Sequence, residues 1–435
     1  MRKTIALACL AALLGVGLVI PVVSLAEDYS FNLEEYEKKS FEWGGYTELK
    51  WDHSRINTTG ALGRLAFYDK PRNDLDRLTA TLQLEGNYHK GIVDFNGLLQ
   101  ASSRRDQVDS EDHLDIFSAY ASIKPSPSIT FELGKKPFKW GTGYAWNPVG
   151  FINRPKDLNN PEDALEGYIG AGIDLIKSFS GTLQTVALTA VVLPVWEEVN
   201  DGFGEQDHVN LAAKLYLLYR NTDIDIVVLT GNSRSTRYGI DLSKNLASHV
   251  EIHAEVAHVP QQRVTVFNSY GILKKHDRSV TSYLFGLRYL TENNIITILE
   301  FYHNDAGYSE AEMERFYQLV NEADNLYTGS GDDSLFRKAT VISRSGDAMP
   351  QIGRNYLYAR IIHKEPFDLL YFIPALNAII NLDDDSYSLS PEAVYSGFTD
   401  WELRLRFSHI AGEGNTEHGE KLNEDKFELR IRYYF

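Results

Sequence analysis

From Phe41 to Phe435 the chain keeps returning to one pattern, with apolar and polar residues at alternate positions. Phe41, Trp43, Gly45, Thr47, Leu49 and Trp51 share one parity, and Glu42, Tyr46, Glu48, Lys50 and Asp52 share the other. Successive side chains of a β-strand point to opposite faces, so a period of two marks strands with one apolar and one polar face. Leu78, Ala80, Leu82 and Leu84 oppose Thr79, Thr81, Gln83 and Glu85 in the same way. Val250, Ile252, Ala254 and Val256 oppose His249, Glu251, His253 and Glu255. A chain patterned like this cannot fold mainly as helices.

Soluble sandwiches also alternate, so segment and connection lengths must decide. Many segments run about 10 residues, the length that crosses a bilayer when tilted, and aromatics cluster near their ends. The strand segments are 41–53, 75–89, 92–102, 113–123, 128–136, 165–178, 183–193, 209–219, 224–231, 235–243, 247–258, 280–290, 294–304, 354–363, 370–381, 387–395, 399–409 and 424–435. Connections after even-numbered segments are short. Those after odd-numbered ones are mostly long: 54–74, 103–112, 137–164, 194–208, 259–279, 305–353 and 410–423. The two exceptions, 232–234 and 382–386, leave sixteen strands as the alternative count. The fold class is therefore all-β, a transmembrane antiparallel barrel of about 18 strands with short periplasmic turns and long extracellular loops. An even count puts both termini on the periplasmic side, and a barrel this wide encloses water.

Composition closes off the other classes. Mean hydropathy is −0.29, and the repeated apolar stretches of about 20 residues that helical membrane proteins need are missing. Aromatic content of 12% excludes disorder. The net charge of −17 argues against a nucleic-acid partner.

The start of the chain has the features of an export signal. Arg2 and Lys3 precede an apolar run from Ile5 to Val23, and Ser24, Leu25 and Ala26 place small residues where a signal peptidase reads them. The expected division is 1–26 signal peptide, 27–40 periplasmic segment and 41–435 barrel. Cys9 lies within the signal, so the mature chain has no cysteine and no disulfide. At the other end, Phe427, Leu429, Ile431, Tyr433 and Phe435 alternate up to a C-terminal aromatic. This resembles the terminal assembly signal recognised by the bacterial barrel-assembly machinery, which implies that machinery as a partner.

Residues 133–148 read LGKKPFKWGTGYAWNP, and Ala119, Tyr120 and Ala121 lie on an earlier strand. The stretch resembles one found in porin-like Gram-negative outer-membrane proteins, in the neighbourhood of the alginate-export porins, the phosphate-selective porins and the capsule-assembly barrels. The resemblance covers about 35 residues by motif and the rest by architecture. It implies an outer-membrane location, contact with lipid and lipopolysaccharide, and a water-filled channel for ions or small hydrophilic solutes. The alternative it leaves is an export or surface-assembly barrel for a polysaccharide. It fixes neither solute nor oligomeric state.

Within 137–164, Trp140, Tyr144, Trp146, Phe151 and Ile152 are too apolar to stand in water. Either the loop folds into the lumen as a constriction or it caps the outer rim. Asp157, Glu162 and Asp163 give it acidic charge. By parity, Glu402, Arg404, Arg406, Glu428, Arg430 and Arg432 face inward on the last two strands, beside Glu42, Glu48 and Lys50 of the first. Arg288 and Arg360 are inward too. Such charges either tune ion passage or pair off and stiffen the wall. Ser309 to Glu312 has capping-box spacing and opens a helical pattern through Val320. The face with His249, Glu251, His253 and Glu255 could place two metal ligands together, but a polar lumen wall explains it better. No nucleophile elbow, phosphate loop or dinucleotide fingerprint is present. The expectation is a non-enzyme without cofactor or metal.

Overall fold

A computed structural model describes residues 40–161, 163, 165–267, 273–345 and 352–435. The expected signal peptide and most of the expected periplasmic segment fall outside the described residues, as does Glu162. The chain forms one closed 18-stranded sheet. The strands are β1 (Phe41–Ile56), β2 (Asp74–Lys90), β3 (Val93–Asp106), β4 (Ser110–Ser126), β5 (Ile129–Lys136), β6 (Tyr168–Ser178), β7 (Leu183–Val195), β8 (His208–Tyr219) and β9 (Thr222–Gly231). They continue as β10 (Arg237–Ala247), β11 (Val250–Phe267), β12 (Leu273–Leu290), β13 (Ile295–His303), β14 (Asn355–His363), β15 (Phe372–Asn381), β16 (Tyr387–Phe398), β17 (Trp401–Ala411) and β18 (Asn423–Tyr434). Each pairs antiparallel with its sequence neighbours, and β18 closes on β1 with Lys50 opposite Arg430 and Leu49 opposite Ile431. Both ends of the barrel chain lie at the short-turn rim, where Gly45 and Phe435 exchange two backbone hydrogen bonds of 3.1 Å.

The alternating pattern becomes two surfaces. Leu49, Trp51, Phe95, Leu133, Leu188, Ile226, Ile252, Phe285, Leu299, Leu405 and Phe407 are all exposed on the outside. A belt of that size suits hydrocarbon and not water. No helix among the described residues is long and apolar enough to cross a membrane.

Two expected loops are taller hairpins instead. The segment 103–112 is strand up to Asp106 and again from Ser110. Cross-strand pairs hold it upright, Arg104 to Glu111 at 2.7 Å and Arg105 to Asp112 at 2.8 Å. In 259–279 the strands run on to Phe267 and from Leu273, past a bulge between Val259 and Gln262. Alternation fades there because the strands have left the membrane and both faces meet water.

The helix expected from Ser309 forms as α2 (Glu310–Ser330), introduced at its start by the predicted capping box, with Ser309 N–H donating to Glu312 Oε2 at 2.8 Å. It runs well past Val320 to Gly331, whose left-handed φ of 74° ends it. Two helices were not expected: α1 (Ala61–Phe67) in the first long loop and α3 (Ser334–Ser345) after α2. The three pack together through Ala61, Phe316, Tyr317, Val320, Ala323, Phe336 and Ala339 at the long-loop end. Tyr68 stacks on Phe336 with centroids 4.2 Å apart. The loop 412–422 braces this cap, and burial there holds the His418 imidazole down to about 2, beside Ser386 Oγ at 3.0 Å.

Candidate pore constriction

The connection from β5 to β6 does not stand above the rim. It lies against the inner wall, and three kinds of contact seat it there.

The first is apolar. Trp140, Val149, Phe151 and Ile152 of the loop bury against Tyr168 of β6, Val191, Leu193 and Val195 of β7, Ala212 of β8, Val227 and Leu229 of β9 and Ala257 of β11. Farther along, Ala145, Trp146 and Leu158 join Leu284 of β12, Ile296 and Ile298 of β13, Tyr356 and Tyr358 of β14 and Ile379 of β15. Trp146 stacks on Tyr302 with centroids 5.0 Å apart and planes 22° apart. Each large side chain buried this way contributes roughly 1.5–3 kcal/mol.

The second is a pair of carboxylates reaching from the wall. Glu255 on β11 accepts N–H bonds from Thr142 at 2.7 Å, Gly143 at 2.6 Å and Val149 at 3.1 Å, and a fourth from the Asn147 amide at 3.0 Å. Glu300 on β13 accepts from Ala145 N–H at 2.8 Å and from Tyr144 N–H, and His253 Nε2 lies 2.9 Å from it. Both carboxylates are fully buried. Buried charges persist only where donors fill their lone pairs, and here the loop backbone supplies them. The close approach explains a glycine. Gly141 has a φ of 96°, and a Cβ there would come within 2.7 Å of Glu255 Oε1.

The third contact is across the lumen. Asn160 Oδ1 accepts from Arg404 at 2.9 Å and from Arg406 at 2.7 Å, and Arg406 also reaches Asn159 O at 2.9 Å. Asp163 sits 3.7 Å from Arg430. One loop thus leaves β5, lines the wall from β6 to β15 and ends against β17 and β18.

The charged residues singled out in the sequence divide into groups. Glu48, Arg406, Glu428 and Arg430 are buried on the inner face. They belong to a ladder across β16, β17, β18 and β1: Arg406 with Glu392 and with Glu428 at 3.5 Å, Arg430 with Glu428 at 2.7 Å, and Arg432 with Glu48 at 2.7 Å. Lys50 lies 3.5 Å from Asp52, and Arg404 lies 3.2 Å from Glu402. Arg360 is 3.6 Å from Glu392 and its guanidinium lies 5.7 Å from the Tyr144 ring. Arg288 is half-exposed, 3.7 Å from Glu251. Glu42 stands apart, exposed near the short-turn end of β1. On the loop, Asp157 is exposed and turned to its own backbone, accepting from Asn159 N–H at 2.9 Å. The groups meeting the arginines are therefore Asn159, Asn160 and Asp163.

A cavity of about 810 Å³ opens beside the loop. Lys139, Lys156, Arg288, Arg360, Lys364 and Arg404 line it, against the acids Glu251, Glu392 and Glu402.

Sequence reasoning missed Glu300 and read Glu255 only as part of a polar lumen wall. A signal was present. The strand IITILEFYH at 295–303 is apolar on both faces and carries one acid, as VVLPV at 191–195 is apolar on both faces without any. A strand covered on both sides reads as a continuous apolar run. Lipid covers one face only, so the other needed a partner.

No family model matches the chain, and no curated protein matches it. The likeness is to solved structures. Pseudomonas aeruginosa OccK5 (OpdH) is 10% identical, with 91% of this chain and 98% of that chain covered and a TM-score of 0.51. Pseudomonas aeruginosa OccK2 (OpdF), solved in complex with glucuronate, is 13% identical over 91% and 98%, with a TM-score of 0.50. A triple mutant of the Rhodopseudomonas blastica porin is 9% identical over 91% and 100%, with a TM-score of 0.43. At such identities the first two establish a shared barrel fold and nothing about solutes.

Proposed function

We propose that this barrel is a Gram-negative outer-membrane channel through which ions and small hydrophilic solutes diffuse. The observation that supports it most is the loop against the inner wall. A closed barrel with an apolar outside and a water-filled inside is already a conduit. A loop seated inside by buried carboxylates narrows that conduit without filling it.

The open side is polar. Thr79, Thr81 and Gln83 of β2, Gln100 and Ser102 of β3, Ser118 and Ser122 of β4 and Glu132 of β5 occupy inward register positions that the loop does not cover. With Glu48, Lys50, Arg404, Arg430 and Arg432 they line the conducting path in this reading, and Trp140, Tyr144 and Trp146 set the bulk of the constriction. Six cations against three acids around the cavity concentrate anions. Small organic anions are therefore the solute class proposed, a class to which the glucuronate in the OccK2 structure also belongs. The short turns lie in the periplasm, the helical cap faces outward, residues 1–26 are removed on export, and the terminal strand is read by the assembly machinery.

Planar-bilayer recording of the purified full-length barrel in a KCl gradient tests this. Ohmic channels with an anion-preferring reversal potential are expected. A folded barrel that inserts without conducting would overturn the diffusion reading in favour of a polysaccharide-export barrel.

A further inference from the structure

On the inner faces of β9, β10 and β11, three carboxylates stand in one row. The register places Asp241 directly opposite Asp225 on one side and Glu255 on the other. Opposed residues of antiparallel strands have Cα atoms only about 4.5–5.5 Å apart. Glu255 is turned to the constriction loop, whose donors fill it. Asp225 Oδ2 receives Lys214 Nζ at 3.2 Å, while its Oδ1 has no partner. Asp241 is only 1% exposed, and neither of its carboxylate oxygens has a partner among the described residues.

Three unfilled carboxylate oxygens on two neighbouring buried acids are an arrangement proteins avoid. Like charges directly opposite repel, and a buried carboxylate requires a donor or a counter-charge. The main-chain groups here are committed to the ladders of β9 and β10, with Asp241 paired to Asp225 in register. Among the described residues the one side-chain cation paired with them is Lys214, bound to the other oxygen of Asp225. Three carboxylates against one ammonium leave two negative charges.

We propose that Asp225 and Asp241 seat a hard divalent cation of the calcium type in the seam between β9 and β10. The donors are oxygens alone, which select calcium or magnesium over the softer zinc and copper. Two carboxylates supply at most four oxygens, and water completes the shell. No group of three or more His, Cys, Asp or Glu among the described residues forms a metal site, so the two aspartates are the protein's whole share of the shell. With so few protein ligands its affinity belongs with the weak calcium sites of extracellular modules, about 10⁻⁴–10⁻³ M. The ion neutralises the wall beside Glu255, the residue that fixes the constriction loop.

Calorimetric titration of the purified barrel with CaCl2 tests this. Wild-type protein should bind one calcium ion more than D241N and one more than D225N. D223N, altered one strand position pair away, should keep the full stoichiometry. Equal calcium binding by wild type and D241N overturns the site, whether or not D241N gains stability from losing its charge. If the variants fail to fold, wild-type crystals soaked in MnCl2 decide. An anomalous peak between the two carboxylates is expected, and its absence at 10 mM, roughly tenfold above the expected dissociation constant, sinks the proposal.

Discussion

The inner wall has two arcs of opposite character. From β6 to β15 the inward residues include Leu193, Leu229, Leu284, Ile298 and Tyr356, all buried. From β16 round to β5 they include Glu392, Arg406, Arg430, Glu48, Gln83, Gln100 and Ser122. Both arcs belong to one sheet with one apolar outside. The difference teaches that an inward apolar face is a binding surface for the chain's own loop. An inward polar face pairs its charges within the wall and meets the loop only through polar groups, at Asn159, Asn160 and Asp163. In the first arc the buried acids Glu255 and Glu300 are answered by loop N–H groups, whereas Asp225 and Asp241 of the same arc are not.

Removing the loop should give the largest effect. Deleting Tyr144 to Asn159 exposes the apolar arc and should raise unit conductance severalfold in single-channel recordings. A deletion variant that folds, inserts and conducts as before would show that the loop does not limit the path.

Cutting the latch should come next. In Glu255→Ala combined with Glu300→Ala, five loop N–H groups lose their acceptors. Each loss costs about 1–3 kcal/mol where water cannot replace the bond. Larger conductance with frequent transitions between levels is expected, and steady wild-type currents would mean the apolar contacts alone hold the loop.

Charge on the polar arc should have a smaller, directional effect. Changing Arg404, Arg406, Arg430 and Arg432 together to Gln strips Glu48 and Glu402 of their arginines and leaves Glu392 with Arg360 and Glu428 with Lys426, fewer cations than acids. The reversal potential in a KCl gradient should move toward cations. An unmoved potential would assign these residues to wall stiffness alone.

The finest test sets one substitution in each arc. Gln100→Trp places bulk on the open side and should lower conductance with little loss of stability. Leu229→Trp overpacks the covered side and should cost about 1–3 kcal/mol of stability while leaving conductance nearly unchanged. If the two exchanged outcomes, the solute path would run behind the loop.

Much of this was legible in the chain. Each of the 18 strands overlaps a segment expected from the sequence, and many of these alternate because facing lipid or water is decided residue by residue, an imprint lost where the loop covers the inner face, as at 295–303. The capping box at Ser309 was equally local, needing only Ser309 and Glu312. The helices at 61–67 and 334–345 were not visible, because they are stabilised by one another across loops distant in sequence.

What the sequence determined by itself is the alternation, a count of about 18 strands with sixteen as the alternative, the closing strand and the demand that an apolar loop find cover. What only the tertiary structure decided is where that cover lies. Period two relates residue i to i+2, whereas Thr142 meets Glu255 across 113 positions and Asn160 meets Arg406 across 246. Contacts that long are set by which strands stand opposite once the barrel has closed.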